Sequence, residues 1–108
     1  MTAGDVQARI ERNAGIVARM PDNHLARFGL GNAYYDAGRI EDAEREFRQC
    51  LERQPDWMAV AISLGRCLVM RSEHDEALRV LAAAREMAVR QGHSSPLQEI
   101  ADLEARCR

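Results

Sequence analysis

The sequence contains no lysine, few aromatic residues and little glycine or proline. All 15 basic side chains are arginines, and they are interleaved with 17 acidic residues to give a net charge of −2. Nucleic-acid-binding proteins normally carry a clustered basic surface, so this even distribution predicts no nucleic-acid partner. Seven glycines and three prolines in 108 residues exclude collagen-like or linker character. Because aromatic residues make up only 5% of the chain, its core must consist mainly of aliphatic side chains, methionine and alanine.

The sequence also lacks the features of secreted, metal-binding and membrane proteins. Its three cysteines, an odd number, show no CxxC spacing, which predicts free thiols in a reducing compartment. The three histidines share no metal-ligand spacing with them. Residues 1–13 are polar and charged, unlike a signal peptide, and no apolar run approaches the length of a membrane span. We therefore expect a cytoplasmic protein without a metal site or a membrane partner.

No catalytic motif is present. The sequence has no GxSxG, HExxH or P-loop pattern. Gly29-Leu30-Gly31 matches the start of a dinucleotide-binding motif, but the third glycine is absent and no strand precedes the segment. We therefore expect no enzymatic activity, no catalytic residues and no cofactor.

The strongest pattern in the sequence is an internal repeat with a constant offset between its two copies. Identical residues recur at this offset in the following pairs: Pro21-Asp22 and Pro55-Asp56, Leu30-Gly31 and Leu64-Gly65, Ala43 and Ala77, Arg45 and Arg79, Glu52 and Glu86. Self-similarity at a fixed period of about 34 residues indicates a repeat architecture.

Each unit has the pattern of two antiparallel helices. In the first unit, Asp22 or Asn23 is suited to cap a helix, and Gly38 suits the left-handed backbone position that ends it. A second helix is predicted over 40–53, and Pro55 stops it.

The second unit repeats this arrangement with a helix over 57–71 and another that reaches about residue 91. Ser72 replaces the glycine of the turn between them. Helix 57–71 is apolar on nearly every face and is expected to be the most buried element. Gly31 and Gly65 lie inside helical patterns, where glycine costs about 1 kcal/mol relative to alanine. We expect this cost to be offset by close approach of Gly31 to Ala43, and of Gly65 to the equivalent alanine of the second unit.

The repeat resembles the tetratricopeptide repeat, whose signature is W-x2-L-G-x2-Y…A-x3-F…P. The first unit matches six of the seven places: Leu30, Gly31, Tyr34, Ala43, Phe47 and Pro55. Arg27 occupies the tryptophan place, while in the second unit Ala61 and Val89 replace the tryptophan and the proline. The resemblance covers residues 24–91. It implies an all-α solenoid of antiparallel helix-turn-helix repeats that acts as a protein-binding adaptor or scaffold.

The predicted organisation is a single domain of about six helices. It consists of an N-terminal capping helix or half-repeat over 1–21, repeats over 24–57 and 58–91, and a C-terminal solvating helix over 94–108. Ser95 and Gln98 have the spacing of a capping box, with Pro96 at the first helical position. A polar terminal helix is what a repeat array needs to cover its last unit.

The resemblance places one stripe of the first helices along a concave groove that binds peptides or helices. The residues of this stripe are Leu25, Phe28, Asn32, Tyr35, Ala59, Ile62, Arg66 and Val69. An exposed apolar groove that contains a few polar side chains is also a partner site on physical grounds. Asn32 is suited to bond a main-chain amide of the ligand, and Arg66 to pair with a carboxylate.

The sequence is compatible with two classes of function. The groove binds a peptide or helix of another protein, or the chain is a structural subunit that forms a homodimer or larger homo-oligomer through its groove or repeat end. The groove could also be filled by a terminal helix of the chain itself.

The resemblance also argues against one type of ligand. Family members that hold an acidic C-terminal tail use Lys, Asn and Arg along three successive first helices. This chain matches them only at Asn32, whereas Phe28, Ala59 and Ser63 stand where other members of that set are expected. We therefore expect no binding of such tails.

Overall fold

The computed structural model describes residues 2–108, which form six α-helices and no strand. The helices are α1 (Ala3–Arg19), α2 (His24–Asp36), α3 (Ile40–Arg53), α4 (Met58–Met70), α5 (His74–Arg90) and α6 (Pro96–Ala105). The predicted all-α architecture of six helices is confirmed.

The helices form two layers with different spacing. Each helix packs against the next one in the chain, and α4 also contacts both α2 and α6. In the described part of the chain, no Cα atom of α1, α3 or α5 lies within 8 Å of a Cα atom of another of these three helices. Because one layer is closely spaced and the other is spread apart, α2, α4 and α6 line the concave side of the array.

The capping interactions at the helix N-termini match the sequence-based predictions at one helix and differ from them at two. The side chain of Asn23 accepts a hydrogen bond of 3.0 Å from the Ala26 N–H and caps α2. Ser95, however, makes no capping hydrogen bond, so the predicted capping box is wrong. Its backbone is already helical, which turns the hydroxyl away from the free N–H groups of the first turn. A capping box that the sequence analysis missed joins Thr2 and Asp5 at the start of α1.

The turns within the repeats use the left-handed backbone region. Gly38 has φ +79°, and Ser72, at the equivalent place in the second repeat, has φ +59°. In both turns the next residue donates its N–H to a carbonyl five residues earlier, from Arg39 to Tyr34 and from Glu73 to Leu68. The geometry of the turn is therefore the same in both repeats, although serine adopts it at a steric cost that glycine avoids.

The core is centred on α4, in which nine of the thirteen residues are buried. No other helix of the described chain buries as large a share of its residues, as the sequence predicted. Large side chains from the second helices, Phe47 and Leu81, are fully buried against it. A smaller cluster joins α1 to α2 through Val6, Ile10 and Leu30.

The two mid-helix glycines make room for large side chains. A Cβ atom on Gly31 would lie 2.5 Å from the Phe47 ring, and one on Gly65 would lie 2.6 Å from a methyl group of Leu81. The side chains nearest to the two glycines therefore lie one helical turn beyond the alanines with which the sequence predicted a contact. The absent Cβ creates a hollow for a side chain of the second helix.

Candidate functional site

The concave side carries a groove made of two adjoining cavities of about 510 and 460 Å³. Asn32 of α2 lines both cavities, as do Ser63 and Arg66 of α4. The two cavities therefore form one continuous groove across α2 and α4, with these three polar side chains near its middle.

The larger cavity, called the apolar cavity below, combines five apolar lining residues with six polar ones. Its apolar side chains come from α2, α4 and the start of α6: Phe28, Met58, Ala59, Ile62 and Pro96. His93, Ser95 and Glu99 complete its lining. The segment that carries α6 thus forms one wall of the cavity and leaves the groove open.

The smaller cavity, called the polar cavity, extends toward α1. Arg9 of α1 lines it together with Tyr35 and Asp36 at the end of α2. The Arg9 guanidinium lies 2.9 Å from the Asp36 carboxylate. This ion pair joins the two helices at that end of the groove.

Phe28 belongs to both the groove and the core. Its ring centroid lies 5.9 Å from that of Phe47 and 5.1 Å from that of Trp57. Trp57 in turn makes an edge contact with His24 at 5.8 Å. Part of the Phe28 ring therefore packs against the core, and its remaining surface faces the apolar cavity.

Asn32 is a polar side chain of the groove that remains available. It is half-buried, and its carboxamide makes no hydrogen bond in the described part of the chain. Its neighbour Ser63 instead donates its hydroxyl to the Ala59 carbonyl at 3.0 Å. The Asn32 carboxamide can therefore both donate and accept a hydrogen bond to a bound molecule.

Arg66 is already paired within the chain. Its Nε and Nη2 atoms lie 2.7 and 2.6 Å from one carboxylate oxygen of Glu99 on α6. The sequence predicted Arg66 as a partner for a ligand carboxylate but did not predict this pair with Glu99. The cause of the pair is the packing of α6 beside α4, which places Glu99 in front of the guanidinium.

Six of the eight residues in the predicted stripe line the groove: Phe28, Asn32, Tyr35, Ala59, Ile62 and Arg66. Leu25, at the first turn of α2, lies outside the two cavities with 70% of its surface exposed. Val69 is only 6% exposed and packs in the core. Val69 lies at the end of α4, beyond the residues of that helix that line either cavity.

The terminal helices contribute residues to the groove that were not predicted from the sequence. Pro96 lies one repeat period after Ile62, and His93 lies one repeat period after Ala59. Extending the repeat period beyond residue 91 would have placed both of them in the same row as the predicted stripe. No comparable signal pointed to Arg9, because α1 lacks the signature residues of the repeat.

None of the three cysteines lines the groove. Burial raises the pKa of the Cys50 thiol to about 11 and that of Cys67 to about 12, so both remain protonated at neutral pH. Residues 2–108 contain no group of three or more His, Cys, Asp or Glu side chains that could hold a metal ion. None of the helices they form is long and apolar enough to span a bilayer.

Comparison with known sequences identifies related repeats. The family model of the tetratricopeptide repeat matches residues 7–56 and 28–91. The TPR repeat-containing protein PA0015 of Pseudomonas aeruginosa is 40% identical over 57 residues, which are 53% of this chain and 54% of that protein. The match thus spans about half of the relative's length.

Comparison with solved structures shows the same fold. The TPR2B domain of yeast Sti1 in complex with pHsp70 superimposes with a TM-score of 0.88 at 18% identity, over 96% of this chain and 83% of that one. The TPR2AB domain of yeast Sti1 in complex with pHSP90 gives 0.86 at 18% identity, over 95% of this chain and 40% of that one. At this identity the similarity establishes the architecture.

Proposed function

This chain belongs to the tetratricopeptide repeat family, and we propose that it is a protein-interaction module whose groove binds a peptide segment or helix of another protein. Both solved structures described above are complexes of domains with the same fold, which supports a protein or peptide partner. The proposal involves no catalytic step, cofactor, nucleic acid or membrane. We also propose that the chain is divided into a capping helix, two repeats and a solvating helix. The three free cysteines suggest that the protein is cytoplasmic.

The observation that carries the proposal is the unpaired carboxamide of Asn32 beside the apolar cavity. A peptide main chain presents an N–H and a carbonyl that one carboxamide can pair with at the same time. The adjoining wall of Phe28, Met58 and Ile62 offers a surface for an apolar side chain of the same peptide. Main-chain hydrogen bonds combined with a side-chain pocket are a common mode of peptide recognition.

The outer faces of the terminal helices favour the groove over the repeat ends as the binding surface. The exposed residues of α1 include Gln7, Glu11 and Arg12, and those of α6 include Gln98 and Asp102. Polar outer faces are typical of the capping elements that solubilise repeat arrays. Self-association through the repeat ends is therefore the weaker alternative, and self-association through the groove is an outcome of the test below.

The proposal is tested by selecting binders from a displayed library of random heptapeptides and measuring their affinity by Trp57 fluorescence. Trp57 is the only tryptophan, and its ring contacts Phe28 of the groove. We expect Asn32→Ala to weaken binding of the selected peptides about threefold to tenfold, the value of one hydrogen bond. Gln49→Ala, which truncates an exposed amide on α3, is the matched control and should leave the affinity unchanged.

Asn32 is preferred to Phe28 for this test because Phe28 also supports the core. Light scattering at several concentrations should give the mass of a monomer. A dimer that Asn32→Ala dissociates would instead show that the groove serves self-association. Selected peptides that bind Asn32→Ala and the unmodified protein equally well would contradict the groove as their site.

A further inference from the structure

The charged side chains that line the groove are neutralised by one another. Arg66 lies 2.6 Å from Glu99 in the middle of the groove, and Arg9 lies 2.9 Å from Asp36 at the end that faces α1. The lining thus holds two cations and two carboxylates that pair with each other. A charged ligand therefore finds no unpaired countercharge among the lining residues that the structure describes.

Glu99 occupies the place that a ligand's carboxylate would need. Two nitrogen atoms of Arg66 converge on the same Glu99 oxygen, at 2.7 and 2.6 Å. The pair is not part of the core, because 36% of the Arg66 side chain and 43% of the Glu99 side chain remain exposed. An ion pair so open to solvent contributes little to folding, so its main effect is on the charge that a ligand meets.

We propose that Glu99 is a specificity-determining residue that makes the groove select uncharged, apolar segments from the interior of a partner chain and reject acidic segments. This inference rests on the proposed peptide-binding function. An acidic ligand that approached Arg66 would have to displace Glu99, and the displaced carboxylate would remain close enough to repel it. Such a repulsive element is an established way to obtain specificity.

The same geometry explains why a basic ligand is also disfavoured. A Lys or Arg side chain would have to displace Arg66 in order to reach Glu99. A neutral peptide disturbs neither charge: its main chain bonds to Asn32 and its apolar side chain enters the cavity beside Phe28 and Ile62.

The test repeats the heptapeptide selection in parallel on the unmodified protein, Glu99→Gln and Arg66→Gln. The unmodified protein should enrich peptides that are poorer in charged residues than the input library. Glu99→Gln leaves the Arg66 guanidinium unpaired, so this variant should select peptides that are enriched in Asp and Glu. Arg66→Gln leaves the Glu99 carboxylate unpaired, so this variant should select peptides that are enriched in Lys and Arg. A synthetic acidic peptide from the Glu99→Gln pool should bind that variant about fivefold to tenfold more tightly than the unmodified protein.

The double variant Glu99→Gln/Arg66→Gln is the matched control, because it removes both charges and should restore the neutral preference. Circular dichroism checks that each variant folds, and the two single variants give opposite shifts, so either one alone decides the question. Enrichment of acidic peptides by the unmodified protein would overturn the proposal. It would also be overturned if the unmodified protein and all the variants selected the same uncharged peptides. A selection in which no variant enriches any peptide would overturn the peptide-binding function itself, and the specificity of Glu99 with it.

Discussion

Arg27 and Glu46 form an ion pair of 2.9 Å in which only 11% and 10% of their side chains are exposed. Arg27 stands at the place where the repeat signature has tryptophan, and it also donates a hydrogen bond to the Pro21 carbonyl. The pair joins α2 to α3 within the first repeat. A charge pair between two helices thus takes the place at which the family normally buries an aromatic ring.

This relationship predicts a large difference between single and double substitutions. Arg27→Ala should lower the free energy of unfolding by about 3–5 kcal/mol, because it leaves the Glu46 carboxylate buried without a partner. The double variant Arg27→Met/Glu46→Leu should stay close to the unmodified protein or exceed it, since it removes both charges and keeps the volume. Urea unfolding followed by circular dichroism measures both. A single variant within about 1 kcal/mol of the unmodified protein would show that the site is hydrated.

The hollow at Gly31 predicts that even a methyl group is harmful there. Gly31→Ala places a Cβ 2.5 Å from the fully buried Phe47 ring, which must shift. Overpacking of this kind costs about 1–3 kcal/mol, more than the gain of up to about 1 kcal/mol that alanine brings to a helix. Gly15→Ala in α1 is the control, because its Cβ would have no neighbour within 4 Å, and it should stabilise the protein. Thermal unfolding should show opposite shifts in Tm, and an increase for both variants would contradict the packing argument.

The contact between the repeats predicts a dependence of stability on pH. Both Nη atoms of Arg48 on α3 lie 2.9 Å from the Glu76 carboxylate on α5, and these hydrogen bonds lower the pKa of Glu76 below its usual 4.5. Because the pKa is lower in the folded state, the stabilisation is present above the unfolded value and is lost as pH falls through the folded value.

The measurement compares the free energy of unfolding of the unmodified protein and Glu76→Gln between about pH 6 and pH 3. The unmodified protein should be the more stable of the two at the upper end, and the difference should shrink as pH falls toward the lower end. Glu86→Gln, which removes an exposed glutamate from the same helix, is the matched control. A difference between the unmodified protein and Glu76→Gln that stays constant over this range would contradict the role of the Arg48 pair.

The sequence by itself determined the architecture and the family, because both depend on local patterns that recur. The repeat period, the cap at Asn23 and the left-handed turn at Gly38 each follow from residue types and their spacing along the chain. The same period, extended by one unit, would also have located Pro96 and His93 in the groove. It did not reveal that Ser95 has a helical backbone, because the spacing of a capping box says nothing about the dihedral angles of its first residue.

Only the tertiary structure decided which charged side chains meet. Arg66 and Glu99 are 33 residues apart, and Arg27 and Glu46 are 19 apart, on helices whose relative rotation no periodic pattern specifies. A rotation of one helix by a fraction of a turn would separate either pair while leaving every sequence motif unchanged. The repeat pattern therefore predicts a groove, whereas the packing of α6 beside α4 decides that Arg66 is already neutralised within it.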